Sequence, residues 1–165
     1  MRMGRRVRVA VIGAVSMVVI GLAVVVGARW LTAGQAVGIA PPPGASEQLP
    51  DGSYEIVVDL RSSELHYDLR SDRGPATVDS YAMPPATTWE QARAAVAGQL
   101  DGWRQAGDCP DSGRQRTWCT WTEPARLWPR RVRIVFLRQP TTVEDRATWP
   151  DNTFLVIGSG PGGSA

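Results

Sequence analysis

Apolar residues run from Val9 to Ala28 without a single charge, VAVIGAVSMVVIGLAVVVGA, and nothing later in the chain repeats that density. Twenty residues at 1.5 Å rise make a helix about 30 Å long, the thickness of a bilayer's hydrocarbon core. Its Gly and β-branched residues weaken a helix in water but are ordinary in lipid, where the backbone must satisfy its own hydrogen bonds. The pattern therefore predicts a transmembrane helix over 9–28. Residues 29–52 follow, rich in Pro, Gly and Ala and poor in large apolar side chains, with Pro41-Pro42-Pro43 favouring an extended run. They read as a linker to a domain over 53–158, with 159–165 a flexible Gly-rich tail.

Inside that domain the period is first two. Tyr54, Ile56, Val58 and Leu60 alternate with Glu55 and Asp59; Leu65, Tyr67 and Leu69 alternate with Glu64, His66, Asp68 and Arg70. Only Arg61-Ser62-Ser63 lies between, so the expectation is an antiparallel hairpin. Residues 71–86 read as loop, with Val78 and Tyr81 marking a short strand or packing contact. The period then changes to 3.6. Trp89, Ala92, Val96, Leu100 and Trp103 form one stripe, Thr88 and Gln91 have capping-box spacing, and Gly107 and Pro110 stop the helix. Residues 114–122 read as a strand. Residues 131–138 are apolar on both faces, the mark of a central strand. A helical turn is expected near 143–147 and a last strand at 154–157. The order β-β-α-β-β-β predicts the α+β class: a two-layer domain, one helix packed on a 4–5 stranded, mainly antiparallel sheet.

Charge changes the picture in one respect. The chain carries +2 in total, with a sequence pI near 8.8. Residues 1–30 hold five Arg and no acid, whereas the remainder holds thirteen Arg against sixteen acids and is net −3. The basic excess thus belongs to the flank of the apolar run and argues against nucleic acid as a partner. Arg2, Arg5, Arg6 and Arg8 precede the run and only Arg29 follows closely. The positive-inside rule then expects residues 1–8 in the cytoplasm and the domain outside the plasma membrane, with Trp30 at the outer interface. The alternative is a signal peptide cleaved near Gly34-Gln35-Ala36 and a secreted domain, although the apolar core exceeds the usual 7–15 residues.

Cys109 and Cys119, both on the expected outer side, predict a structural disulfide. Their spacing matches no redox motif and the lone His66 cannot complete a zinc site. No metal, cofactor or catalytic residue is assigned. His66 lacks a nucleophile elbow to serve, and the carboxylates Glu123, Glu144, Asp145 and Asp151 form no pattern more specific than any acid-rich chain offers. The terminal Gly-rich run lacks the Lys and helix of a phosphate loop. What stands out is seven Trp. Trp118, Trp121 and Trp128 are interleaved with arginines including Arg130, a candidate surface for an envelope protein or a wall polymer; the plainer expectation is that Trp118 packs on the disulfide and the others cover the sheet. The functional expectation is a non-enzymatic binding or accessory domain of the cell envelope. The alternatives are a small subunit of a membrane complex and an envelope-polymer hydrolase using loop carboxylates.

Overall fold

A computed structural model describes residues 3–50, 54–71, 74–113, 115–125, 127–138 and 153–161. The chain forms two compact units, Met1–Thr32 and Ala33–Ala165. In the first, helix α1 (Met3–Ala33) begins, and its stretch Ala10–Ala33 is long and apolar enough to cross a membrane. None of that stretch's first twenty residues is buried: Val11, Met17, Leu22 and Val25 are all more than half exposed. Side chains that apolar, left without protein partners, are suited to lipid rather than to water.

The second unit is built on a five-stranded antiparallel sheet in the order β1-β5-β4-β3-β2. The strands are β1 (Thr77–Ala82), β2 (Arg104–Gln105), β3 (Arg116–Thr122), β4 (Arg130–Arg138) and β5 (Thr153–Pro161), joined by α2 (Tyr54–Leu69) and α3 (Trp89–Ala97). The α+β class stands. β4 is the central strand, as its two apolar faces require, with β3 and β5 on either side. Val132, Ile134 and Phe136 point to one face; Val135 and Leu137 point to the other. α3 starts at Thr88, whose hydroxyl accepts the Gln91 N–H (3.2 Å) while the Gln91 side chain accepts the Thr88 N–H (2.9 Å). That reciprocal capping box satisfies two donors no helical carbonyl could reach. α3 ends at Ala97, earlier than the stripe suggests; Leu100 and Trp103 pack on the same core from the turn beyond it.

The expected hairpin over 54–69 is a helix. The apolar residues of this segment fit both periods, and burial separates them. Val58, Leu65 and Leu69 are buried, at helical spacing on the inner side of α2 with Ser62 between them; Ile56, Leu60 and Tyr67 are exposed, on the outer side. A strand would have put Ile56, Val58 and Leu60 on one face. Arg61-Ser62-Ser63 offers none of the Gly or Asn that a tight hairpin turn needs, and Arg61 pairs instead with Glu64 one helical turn on, at 2.6 Å. Ser62 is the small polar residue that lets the helix lie close: its hydroxyl bonds Val58 O (2.9 Å) and the Ser80 hydroxyl of β1 (2.7 Å). The sheet is therefore covered on both faces, by α2 on one and α3 on the other, so the domain has three layers where two were expected.

Two further expectations change. β5 extends through Gly158-Ser159-Gly160-Pro161, residues read as tail or near it. Space is tight at both: a Cβ on Gly158 would stand 2.7 Å from Leu65 and Leu69 side-chain atoms, and one on Gly160 2.5 Å from the Leu69 carbonyl oxygen, where backbone leaves room only for glycine. The two glycines form the seat on which α2 rests. Residues 34–50, read as linker, lie along the domain. Val37, Ile39 and Ala45 pack on the α3-side core, Ser46 exchanges hydrogen bonds with Ala82 at the outer edge of β1 (2.8 and 2.9 Å), and Leu49 packs on the α2-side core. The Gln99 amide holds both the N–H and the carbonyl of Ala40, and Val37 N–H donates to Ser159 Oγ at 2.7 Å. The turn expected at 143–147 lies outside the described residues.

Candidate functional site

Register divides the Trp and Arg cluster. On β3, Thr117, Cys119 and Trp121 point toward α3, and Arg116, Trp118 and Thr120 point the other way. Trp121 is buried in the core at 3 % exposure; Trp118, three residues earlier, is 54 % exposed. A packing role for Trp118 on the disulfide is ruled out by this alternation, since Cys119 faces the opposite layer. Trp89 fills that place, donating its indole N–H to Cys109 O at 2.9 Å. The disulfide itself is formed, with Cα atoms 5.3 Å apart, and pins the loop after α3 to β3.

Arg130 and Trp128 do not join Trp118 either. Arg130 is held by Glu123 through two side-chain bonds (2.9 and 3.0 Å) and lies 6.0 Å from the Trp103 ring. Trp128 sits half-buried in the turn before β4 with φ 52°, a left-handed backbone uncommon for so bulky a residue. Of the four candidates, only Trp118 presents its side chain outward as a large apolar surface.

Around it the structure assembles residues that the sequence left scattered. α2 covers β1, β5 and part of β4, leaving the β3 side of that face open. There Arg116 lies over the Trp118 ring at 5.2 Å and reaches Glu64 of α2 only at 3.6 Å. Arg133 bonds Thr120 Oγ1 and Asp68, both at 2.9 Å. Arg104 stands opposite Thr122 in the register and so shares this face. Arg131 does too, and its buried Nε meets no hydrogen-bond partner among the described residues. Four arginines facing two carboxylates make this a basic surface in a domain that is acidic as a whole. Trp118 forms the ridge between two hollows. One, of 260 Å³, runs between α2 and the sheet past Glu64, Asp68 and Arg133. The other, of 380 Å³, lies along the outer edge of β3 and is walled by Ala106, Cys109, Pro110 and Cys119.

The carboxylates weighed for catalysis are committed elsewhere or lie outside the described residues, the latter being Glu144, Asp145 and Asp151. Glu123 belongs to Arg130 and Asp68 to Arg133. Asp111 takes two bonds from Arg138 (2.7 and 2.8 Å), which, with the Gly113 N–H, hold its carboxyl below the usual range. His66 is half-buried on α2 with its ring edge-on to Tyr67 at 6.3 Å. No group of three or more metal-ligating side chains occurs among the described residues. Comparison with family models, curated proteins and solved structures finds no match to this chain.

Proposed function

We propose that this protein is a membrane-anchored binding module of the cell envelope, acting without catalysis through the Trp118 face of its sheet. α1 serves as the anchor, and the excess of arginines before its apolar run orients the domain outward. The disulfide suits an oxidising compartment outside the cytoplasm. The observation that carries the binding reading is Trp118 itself. A Trp more than half exposed on a rigid sheet, stacked by Arg116 and flanked by two hollows, has the composition of an interface hot spot. Binding is favoured over polymer hydrolysis because Glu123, the one loop carboxylate considered for hydrolysis that lies among the described residues, is engaged by Arg130.

The test uses the full chain in mild detergent, incubated with wall polymer and with membrane extract. Trp118→Ala should lower retention about tenfold, the loss expected of one hot-spot aromatic, whereas Trp128→Ala should change little. Equal retention by wild type and Trp118→Ala would remove the basis for this function.

A second reading, a subunit of a membrane complex, is favoured by the outer side of α2. Ile56, Leu60 and Tyr67, at 74 %, 53 % and 63 % exposure, line one helical stripe that stays largely open, with only the Arg70 guanidinium lying over the Tyr67 ring at 4.3 Å. Co-purification of a stoichiometric membrane partner, lost on Ile56→Ser with Leu60→Ser, would support it.

A further inference from the structure

We infer that the outer edge of β3 is a strand-addition site that accepts an extended, acidic segment of a partner protein, an inference that rests on the binding function proposed above. The backbone supplies the first argument. Gln115 O accepts from Arg138 N–H and Glu123 N–H donates to Arg130 O, so the odd-numbered residues of β3 are those bonded to β4. The even-numbered residues turn their N–H and C=O outward. β2 is only two residues long and pairs with Trp121 and Thr122, and Ala106 N–H takes the Thr120 carbonyl at 2.8 Å. At the other end the Ser112 hydroxyl reaches the Arg116 carbonyl at 3.5 Å, and between these two contacts the outward N–H and C=O of Trp118 have no partner among the described residues. An unpaired gap in a strand edge, closed on one side only by a long side-chain contact, is a template for another chain.

The walls of the edge supply the second. The 380 Å³ hollow follows this stretch, with Pro110 and the disulfide on the α3 side and Trp118 and Arg116 on the other. An added strand would seat alternate side chains in the two compartments: apolar ones against Pro110 and Cys109, the others beside Trp118 and Arg116. Charge then selects the occupant. Arg116 is 44 % exposed and touches Glu64 only at 3.6 Å, and Arg104 at the far end is exposed and has no ion pair among the described residues. A second copy of this chain would bring the same arginines edge to edge, whereas an acidic segment would neutralise them. The occupant is therefore an extended segment alternating acidic and apolar residues, from a different protein.

The experiment uses the full chain in detergent micelles and a synthetic peptide alternating Asp and Val as probe. Amide hydrogen exchange at Trp118 and peptide affinity are the readouts. Saturable binding should slow Trp118 exchange about tenfold, and peptides N-methylated at alternate amides, or with Lys in place of Asp, should bind about tenfold more weakly. Arg116→Glu, checked for native circular dichroism, should invert the preference toward the Lys peptide. Equal binding of the N-methylated peptide, or no binding of any peptide, would overturn the inference. Exchange at Trp118 that slows with protein concentration alone would overturn it too, by showing a second copy at the edge. Should the peptides fail while retention of envelope material still depends on Trp118, the binding function survives and strand addition does not.

Discussion

Gly160→Ala places a methyl group where α2 meets the sheet, and the geometry makes its cost calculable relative to Gly158→Ala. A Cβ at 160 would lie 2.5 Å from the Leu69 carbonyl oxygen and 3.1 Å from the Leu69 carbonyl carbon and Cβ. Ordinary contact begins near 3.4 Å, so the helix end must lift by nearly 1 Å, and a backbone oxygen cannot rotate aside as a side chain can. Overpacking of this kind costs about 3 kcal/mol at the upper end of its range, offset by about 0.5–1 kcal/mol from the lower entropy of the unfolded Ala chain. The net is a loss of about 2 kcal/mol. At 158 the added Cβ meets side-chain atoms alone, Cγ and Cδ2 of Leu65 and Cδ1 of Leu69 at 2.7 Å, and side chains can give where a backbone oxygen cannot. There the overpacking costs about 1 kcal/mol and the entropy term nearly cancels it. Urea unfolding of the full chain in mild detergent, followed by Trp fluorescence, separates the two. With a slope of about 1.5 kcal/mol per M, Gly160→Ala should lower the midpoint by roughly 1 M and Gly158→Ala should barely move it. A Gly160→Ala protein as stable as wild type, or less affected than Gly158→Ala, would refute the close seating of α2 on β5.

The helical state of 54–69 makes a paired prediction for the same assay: Leu65→Ala should cost about 3 kcal/mol, whereas Ile56→Ala should stay within about 0.5 kcal/mol. Cys109→Ser with Cys119→Ser should lose about 3 kcal/mol, the loop-closure value for so short a loop, and reduced wild type should match the double variant. Asp111 predicts an acid limb. Its folded pKa is depressed, chiefly by the Arg138 bond, so its contribution is present above the ordinary carboxylate range, near 4, and is lost as pH falls toward its lowered value. Urea midpoints measured from pH 6 down to 2 should therefore fall less steeply in Asp111→Asn than in wild type.

Elements whose apolar residues fit one period alone were legible from the sequence. The α3 stripe from Trp89 to Val96, the Thr88–Gln91 cap and the doubly apolar β4 admit no second reading, and each is found where it was expected. The segment 54–69 admits two, because apolar residues line both its inner and outer sides; only a sheet face in need of cover decides between them. The glycines of β5 were misread for the opposite reason. Their meaning lies in the distance to a helix some ninety residues earlier in the chain, which no local pattern carries. At the candidate site the alternation on β3 held the answer, since residues three apart on a strand face opposite layers and Trp118 and Trp121 could never share a surface. Arg104 and Arg133 reach that surface through pairing register, so their part in it appears only once the sheet is assembled.

The strap of residues 34–50 sets where this domain can be cut. Beginning a fragment at Ser53, where composition draws the boundary, would strip Val37, Ile39 and Ala45 from one core and Leu49 from the other. It would also leave the Ser46 side of β1 unpaired and the Ser159 hydroxyl without its donor. A transplant of the domain onto a different N-terminal segment must therefore carry everything from Ala33 onward. The stretch that looks most replaceable in the sequence is the one a portable version of this fold cannot omit.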